Sequence, residues 1–177
     1  MKVKRTSTKS LVHGALFAAL YVVLTYMQNF LLPGTTSNAI QFRLSEALCV
    51  FALYTPAAVA GLTIGCLIFN LSNAGALPLD WLVGTIATLL ATFTMYRFRK
   101  IRAGKWPLLG FFMPAIWNGI IVGAELTVYL GGVPLWLNML YVAIGELGVM
   151  LAVGVPLYFA FSSRKLQNRL FDTGRGE

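Results

Sequence analysis

Thirteen of the fourteen basic residues fall into three short clusters, and the chain between them is apolar apart from short turns. Lys2, Lys4, Arg5 and Lys9 form the first cluster. Arg97, Arg99, Lys100, Arg102 and Lys105 form the second, and Arg164, Lys165, Arg169 and Arg175 the third. Only Arg43 stands apart. Because 58% of the 177 residues are hydrophobic and the mean hydropathy is +0.73, one small soluble domain has too little interior to hold these side chains. A bilayer accommodates them. The net charge of +8 does not point to nucleic acid, because the basic residues gather at the ends of apolar runs instead of forming a solvated face.

The apolar runs divide into six expected spans, at about 11–32, 42–54, 57–71, 77–96, 108–130 and 135–161. The first follows a basic start, as a signal peptide does, but is too long for the apolar core of one. Pro33-Gly34 marks its exit. Thr55-Pro56 ends the second span, expected to be short and amphipathic, since a residue before proline avoids helical geometry. Gly131-Gly132-Val133-Pro134 separates the last two. Short loops rich in lysine and arginine stay cytoplasmic. Six crossings from an inside N-terminus place all three clusters inside and leave Arg43 alone at the outer side; five would put one cluster outside. The expectation is an all-α integral membrane protein, a single six-helix bundle in the plasma membrane with both termini cytoplasmic.

Within such a bundle, a charged side chain is costly unless paired, solvated or used. The stretch IQFRLSEAL at 40–48 sets Arg43 and Glu46 three residues apart, a spacing expected to pair them on one helical turn, where, as members of the substrate site, they shape or gate its outer mouth. Glu125 and Glu146 then remain as carboxyls inside spans with no basic partner, and a surplus of buried acceptors calls for a ligand rich in donors or positively charged. Asn70, Asn118, Asn138, Trp136 and Tyr141 are further candidates for contact with that ligand. Asp80 is expected to cap its helix, and Asn73 to satisfy turn backbone. Trp81, Tyr129, Trp136 and Tyr141 equally suit an interfacial aromatic belt. On the first span, Gly14, Ala15, Ala18 and Ala19 give small-xxx-small pairs suited to close helix approach, within the bundle or against a separate protein.

Cys49 and Cys66 lack metal-ligand spacing and, with His13 the only histidine, are expected to be buried thiols. No cofactor or metal is expected. There is no HExxH, GxSxG or GxxxxGK[ST] motif, so any ATP hydrolysis that drives the protein belongs to another chain.

Four stretches, IQFRLSEAL at 40–48, TPAAVAGLTIGCLIFNL at 55–71, NGIIVGAEL at 118–126 and LWLNMLYVAIGEL at 135–147, resemble QueT-type S components of energy-coupling factor (ECF) transporters, which belong to the ABC class. The AxxxA pair Ala15 and Ala19 resembles the docking surface of that family. The resemblance implies a substrate-binding subunit that captures a micronutrient outside the cell. It would recruit a transmembrane coupling subunit and two ATP-binding subunits, and topple in the membrane to deliver its ligand. The implied ligand is a queuosine precursor, a 7-deazaguanine bearing an aminomethyl group or a nitrile, with Glu125 or Glu146 accepting from the purine edge and Trp136 and Tyr141 stacking on its face. Cobalamin is the alternative ligand within the same class, suited by loose mouths at 35–39 and Gly131-Gly132. A stand-alone secondary carrier is a further alternative, though the chain lacks an inverted repeat.

Overall fold

The computed structural model describes residues 8–35, 42–73, 75 and 77–171, with only the backbone of Leu130, Arg164 and Asn168. Lys2, Lys4, Arg5, Arg175 and most of the mouth at 35–39 lie outside the described residues. Seven α-helices account for most of the rest: α1 (Thr8–Leu31), α2 (Pro56–Ser72), α3 (Asp80–Phe98), α4 (Leu108–Leu130), α5 (Leu135–Val149), α6 (Val155–Ala160) and α7 (Arg164–Phe171). A 3₁₀ helix spans Leu44–Leu53, and a π-helical turn, Met150–Gly154, joins α5 to α6. Among the described residues the one β feature is an isolated bridge between Ala103 and Trp106.

Every expected span has a counterpart, and the run at 108–130 coincides with α4. Among the described residues three helical stretches are long and apolar enough to cross a membrane: Thr8–Leu31, Leu108–Tyr129 and Leu135–Ala160. The α2 helix has 17 residues, or about 25 Å at 1.5 Å per residue, against a hydrocarbon core of roughly 30 Å. The 3₁₀ helix is shorter still: its ten residues rise about 20 Å at 2.0 Å each.

The helices pack in chain order, α1 on α2, α2 on α3, α3 on α4 and α4 on α5, and the 3₁₀ helix touches all of these as well as α6 and the π-helical turn. It is therefore the axis of the bundle. Ser45 through Leu53 are all buried, so the expected amphipathic span is instead a central pillar. Its lower half joins Phe17, Leu62, Phe69, Met95, Phe111 and Tyr158 in the main apolar core. The stop expected at Thr55-Pro56 is real: Thr55 is extended and caps α2, its Oγ1 accepting from the Ala57 N–H at 3.3 Å.

Glycines set the closest helix contacts. A Cβ on Gly61 would strike the Gly14 carbonyl oxygen, and one on Gly65 would lie 2.8 Å from both the Ala18 oxygen and the Tyr21 Cβ. Gly14 and Ala18 thus pack against α2, while Ala15 and Ala19, one position on, are exposed. All four line an apolar groove of about 930 Å³ with Ala60, Gly61 and Ile64. Leu11 and Val23 line it too, and with Val12 and Leu16 beside it they are exposed, a surface that only lipid or another apolar protein covers without cost.

Candidate functional site

Each long helix carries a polar stripe within an otherwise apolar sequence, and the stripes face the 3₁₀ helix. On α1 the stripe is Tyr21, Thr25 and Gln28; on α2, Cys66 and Asn70; on α3, Asp80 and Thr88. On α4 it is Asn118 and Glu125, and on α5 Asn138 and Glu146, at spacings of seven and eight residues that return to one helical face. All eleven side chains are buried.

Glu46 sits at the centre. Its Oε1 accepts from the Tyr21 hydroxyl at 2.6 Å and the Thr88 hydroxyl at 3.2 Å, and its Oε2 from the Cys49 thiol at 3.1 Å. The Cys49 contact follows from 3₁₀ geometry, in which residues i and i+3 eclipse. The Thr25 hydroxyl donates to the Tyr21 carbonyl and lies 2.7 Å from the Ser45 hydroxyl, fixing α1 to the same element. Glu46 is thus fully partnered, and its part is to hold the pillar in place.

Arg43 is the N-cap of the 3₁₀ helix: its backbone is extended, φ −108° and ψ 112°, and its carbonyl accepts from the Glu46 N–H at 2.9 Å, so the two residues close the first turn, as expected. Gln28 holds the backbone on either side of Arg43, its Nε2 donating to the Phe42 carbonyl at 2.5 Å and its Oε1 accepting from the Leu44 N–H at 2.7 Å. The guanidinium is thereby turned over Gly84, where a Cβ would lie 2.7 Å from Asn70 Nδ2 and 3.7 Å from Arg43 Nη1. There it interacts electrostatically with Tyr21, Cys66, Asp80 and Glu46.

Asp80 and Asn70 knit the α2–α3 turn. Asp80 Oδ2 accepts from the Leu77 N–H at 2.7 Å, and Asn70 Nδ2 donates to the Asp80 carbonyl at 3.0 Å. Asp80 therefore braces the chain leading into its own helix. Asn73 Oδ1 accepts from the Gly75 N–H at 3.2 Å, the turn role expected of it. Facing Asp80 is Glu125, within electrostatic reach of the Asp80 carboxyl and of the Arg43 charge. Glu146 lies within electrostatic reach of the Glu46 carboxyl and the Arg43 charge.

Five buried side-chain oxygens in this region have no hydrogen-bond partner: Asn70 Oδ1, both oxygens of Glu125, Asn138 Oδ1 and Glu146 Oε2. All five are acceptors. Glu125 is 6% exposed and Glu146 3%. An unsatisfied buried polar atom costs about 1–3 kcal/mol, and more when charged, so this concentration marks atoms awaiting donors. Asn138 otherwise donates to the Thr127 hydroxyl at 2.9 Å, and Asn118 to the Pro114 carbonyl at 3.1 Å.

The aromatics are placed differently. Trp136 is 66% exposed on the outside of α5, and Trp81 and Tyr129 are exposed as well. That position gives Trp136 no part in stacking within the buried cluster and suits the interfacial belt. Tyr141 is half-buried. Tyr21, Thr25, Gln28 and Thr88 were not legible as site residues one by one. Their i, i+4 and i, i+7 spacing inside apolar runs was the signal available. Cys49 and Cys66 are buried free thiols.

A membrane helix bundle that turns its polar side chains inward onto unsatisfied acceptors is organised as a membrane transport protein. Residues 11–163 match the QueT transporter family, and the chain belongs to that family of multi-pass membrane proteins. Among curated proteins it is similar to the queuosine precursor transporter QueT of Lactococcus lactis subsp. cremoris (strain MG1363), at 36% identity over 87 residues. That match covers 49% of this chain and 49% of the relative, so the chain aligns with about half the length of the curated protein. No solved structure matches it.

Proposed function

We propose that this protein is the membrane-embedded substrate-binding component of an energy-coupling factor importer, and that its ligand is a queuosine precursor of the 7-deazaguanine type. The observation that carries this reading is the set of five unpartnered buried acceptors on Asn70, Glu125, Asn138 and Glu146. A deazaguanine presents ring N–H and exocyclic amine donors along one edge, the complement such a set requires. The name of the Lactococcus lactis relative points to the same ligand.

In this reading Glu125, Glu146, Asn70, Asn118 and Asn138 line the ligand site, with Tyr141 beside them. Arg43 and Glu46 hold the 3₁₀ pillar against the helices that carry the acceptors. All six apolar segments span the plasma membrane with both termini cytoplasmic, which the segregation of the basic clusters supports. Ala15 and Ala19 dock the transmembrane coupling subunit, and two ATP-binding subunits supply the energy. The exposed small-residue groove on α1 and α2 supports that docking face.

Calorimetric titration of the purified protein with a deazaguanine and with cobalamin tests the ligand. Tight binding of the deazaguanine alone is expected; tight binding of cobalamin alone contradicts it. Uptake into vesicles with and without the three partner subunits tests the role. Full-rate uptake by this chain alone, driven by an ion gradient, identifies a secondary carrier and excludes the importer component.

A further inference from the structure

Four carboxyl side chains are buried among the described residues, those of Glu46, Asp80, Glu125 and Glu146, together with one guanidinium, that of Arg43. They are not equivalent. Glu46 is partnered by three protein donors, and Asp80 accepts from one backbone N–H. Glu125 has no donor on either oxygen and faces the Asp80 carboxyl. Asn70, whose amide nitrogen is spent on the Asp80 carbonyl, adds an unpartnered Oδ1 in the same place. The result is a cluster of buried acceptors where α2, α3 and α4 meet, fixed by hydrogen bonds in the α2–α3 turn.

Two carboxyls facing each other are stable in a buried site only if a proton or a cation lies between them. Arg43 reaches this pair electrostatically but interacts with Tyr21, Cys66 and Glu46 as well. With the site empty a shared proton satisfies the pair, and a ligand cation bringing its own N–H donors takes the place of that proton, which leaves to solvent. A metal ion is a poor fit, since no group of three or more histidine, cysteine, aspartate or glutamate side chains able to hold one occurs among the described residues. An ammonium group, with up to three N–H donors and a full charge, matches Glu125 and Asn70 Oδ1 together.

We propose that the Asp80–Glu125 pair with Asn70 forms a subsite for a positively charged nitrogen on the ligand, making the transporter selective for the cationic member of its ligand class. The proposal rests on the deazaguanine reading above. It assigns the aminomethyl substituent to this subsite and disfavours the nitrile, which has no N–H to donate and carries no charge. Glu146 and Asn138 are left to the neutral donors of the ring.

The test is competition binding of the aminomethyl and the nitrile deazaguanine to the purified full-length protein in detergent. The wild type is expected to bind the aminomethyl compound at least about tenfold more tightly, the effect of one charge-assisted hydrogen bond. In Glu125→Gln the ratio falls to within about threefold, mostly through loss of aminomethyl affinity, and Glu125→Asp retains part of the preference. Equal affinities in the wild type, a preference for the nitrile, or a preference that survives Glu125→Gln overturns the proposal while leaving the deazaguanine reading intact. If the folded protein binds neither compound, both fall. A thermal shift with sodium or calcium ions in the wild type that is absent in Glu125→Gln assigns the pair to a metal ion and also overturns it. The wild-type comparison stands even if a variant fails to fold.

Discussion

The two faces of α1 solve opposite problems. One side, Gly14, Ala18 and the Tyr21–Thr25–Gln28 stripe, packs against α2 and the 3₁₀ helix so closely that no Cβ fits at Gly61 or Gly65. The other, with Ala15, Ala19, Leu16 and Val23, is bare. Inside the bundle, stability comes from contact and satisfied hydrogen bonds, yet a few acceptors are left open. On the outer groove there is almost nothing polar to satisfy. The difference separates recognition, which needs unmet polar groups in a dry place, from docking, which needs a smooth apolar surface.

The strongest way to break that separation is to fill the inner seam. Gly65→Leu forces a side chain into the Ala18 carbonyl and Tyr21, and overpacking of this kind costs about 3 kcal/mol or more. A melting curve in detergent should fall by roughly 6–12 °C for a chain of this size. Tyr21→Phe removes a 2.6 Å hydrogen bond to a buried carboxylate, which costs about 1.5–3 kcal/mol, and the melting temperature should drop by several degrees.

On the outer face the effect moves from stability to coupling. Ala19→Leu should leave ligand affinity and melting temperature as they are, while uptake with the partner subunits falls on the order of tenfold, the consequence of about 1.4 kcal/mol lost at an interface. Loss of ligand binding in Ala19→Leu would join the two faces into one site. The smallest effect belongs to Trp136→Ala. An exposed side chain away from the cluster should change affinity by less than about twofold, within the roughly 0.5 kcal/mol typical of surface substitutions.

Much of this was readable beforehand because the membrane makes apolar length and basic clustering strong signals. The limits of α4 and the stop at Thr55-Pro56 followed from local chemistry. The carboxyls Glu125 and Glu146 stood out because charge inside a span is expensive. What the sequence did not carry was the third dimension at the second segment. A 3₁₀ helix and an α-helix draw on the same residues there, and only the packing of the surrounding helices makes this segment the central pillar. Periodicity put Arg43 on a turn with Glu46, and the two do close the first 3₁₀ turn; what it did not carry is that Arg43 caps that turn with an extended backbone held by Gln28 on a different helix. Likewise, spacing on α1 identified four small residues without showing that Gly14 and Ala18 pack on α2 at the base of the groove while Ala15 and Ala19 stay exposed on it. Trp136 was ambiguous because an aromatic at a helix start serves a belt and a binding site equally well in sequence.

The central claim is that the unmatched carboxyls are kept for a ligand. Titration of purified Glu146→Gln with a deazaguanine addresses it most directly, because this change keeps the shape of a side chain 3% exposed and removes its charge. The expected result is an affinity at least about tenfold below wild type, the loss of a charge-assisted hydrogen bond, with a melting temperature equal to or above that of the wild type. Wild-type affinity in a folded Glu146→Gln protein would contradict the account.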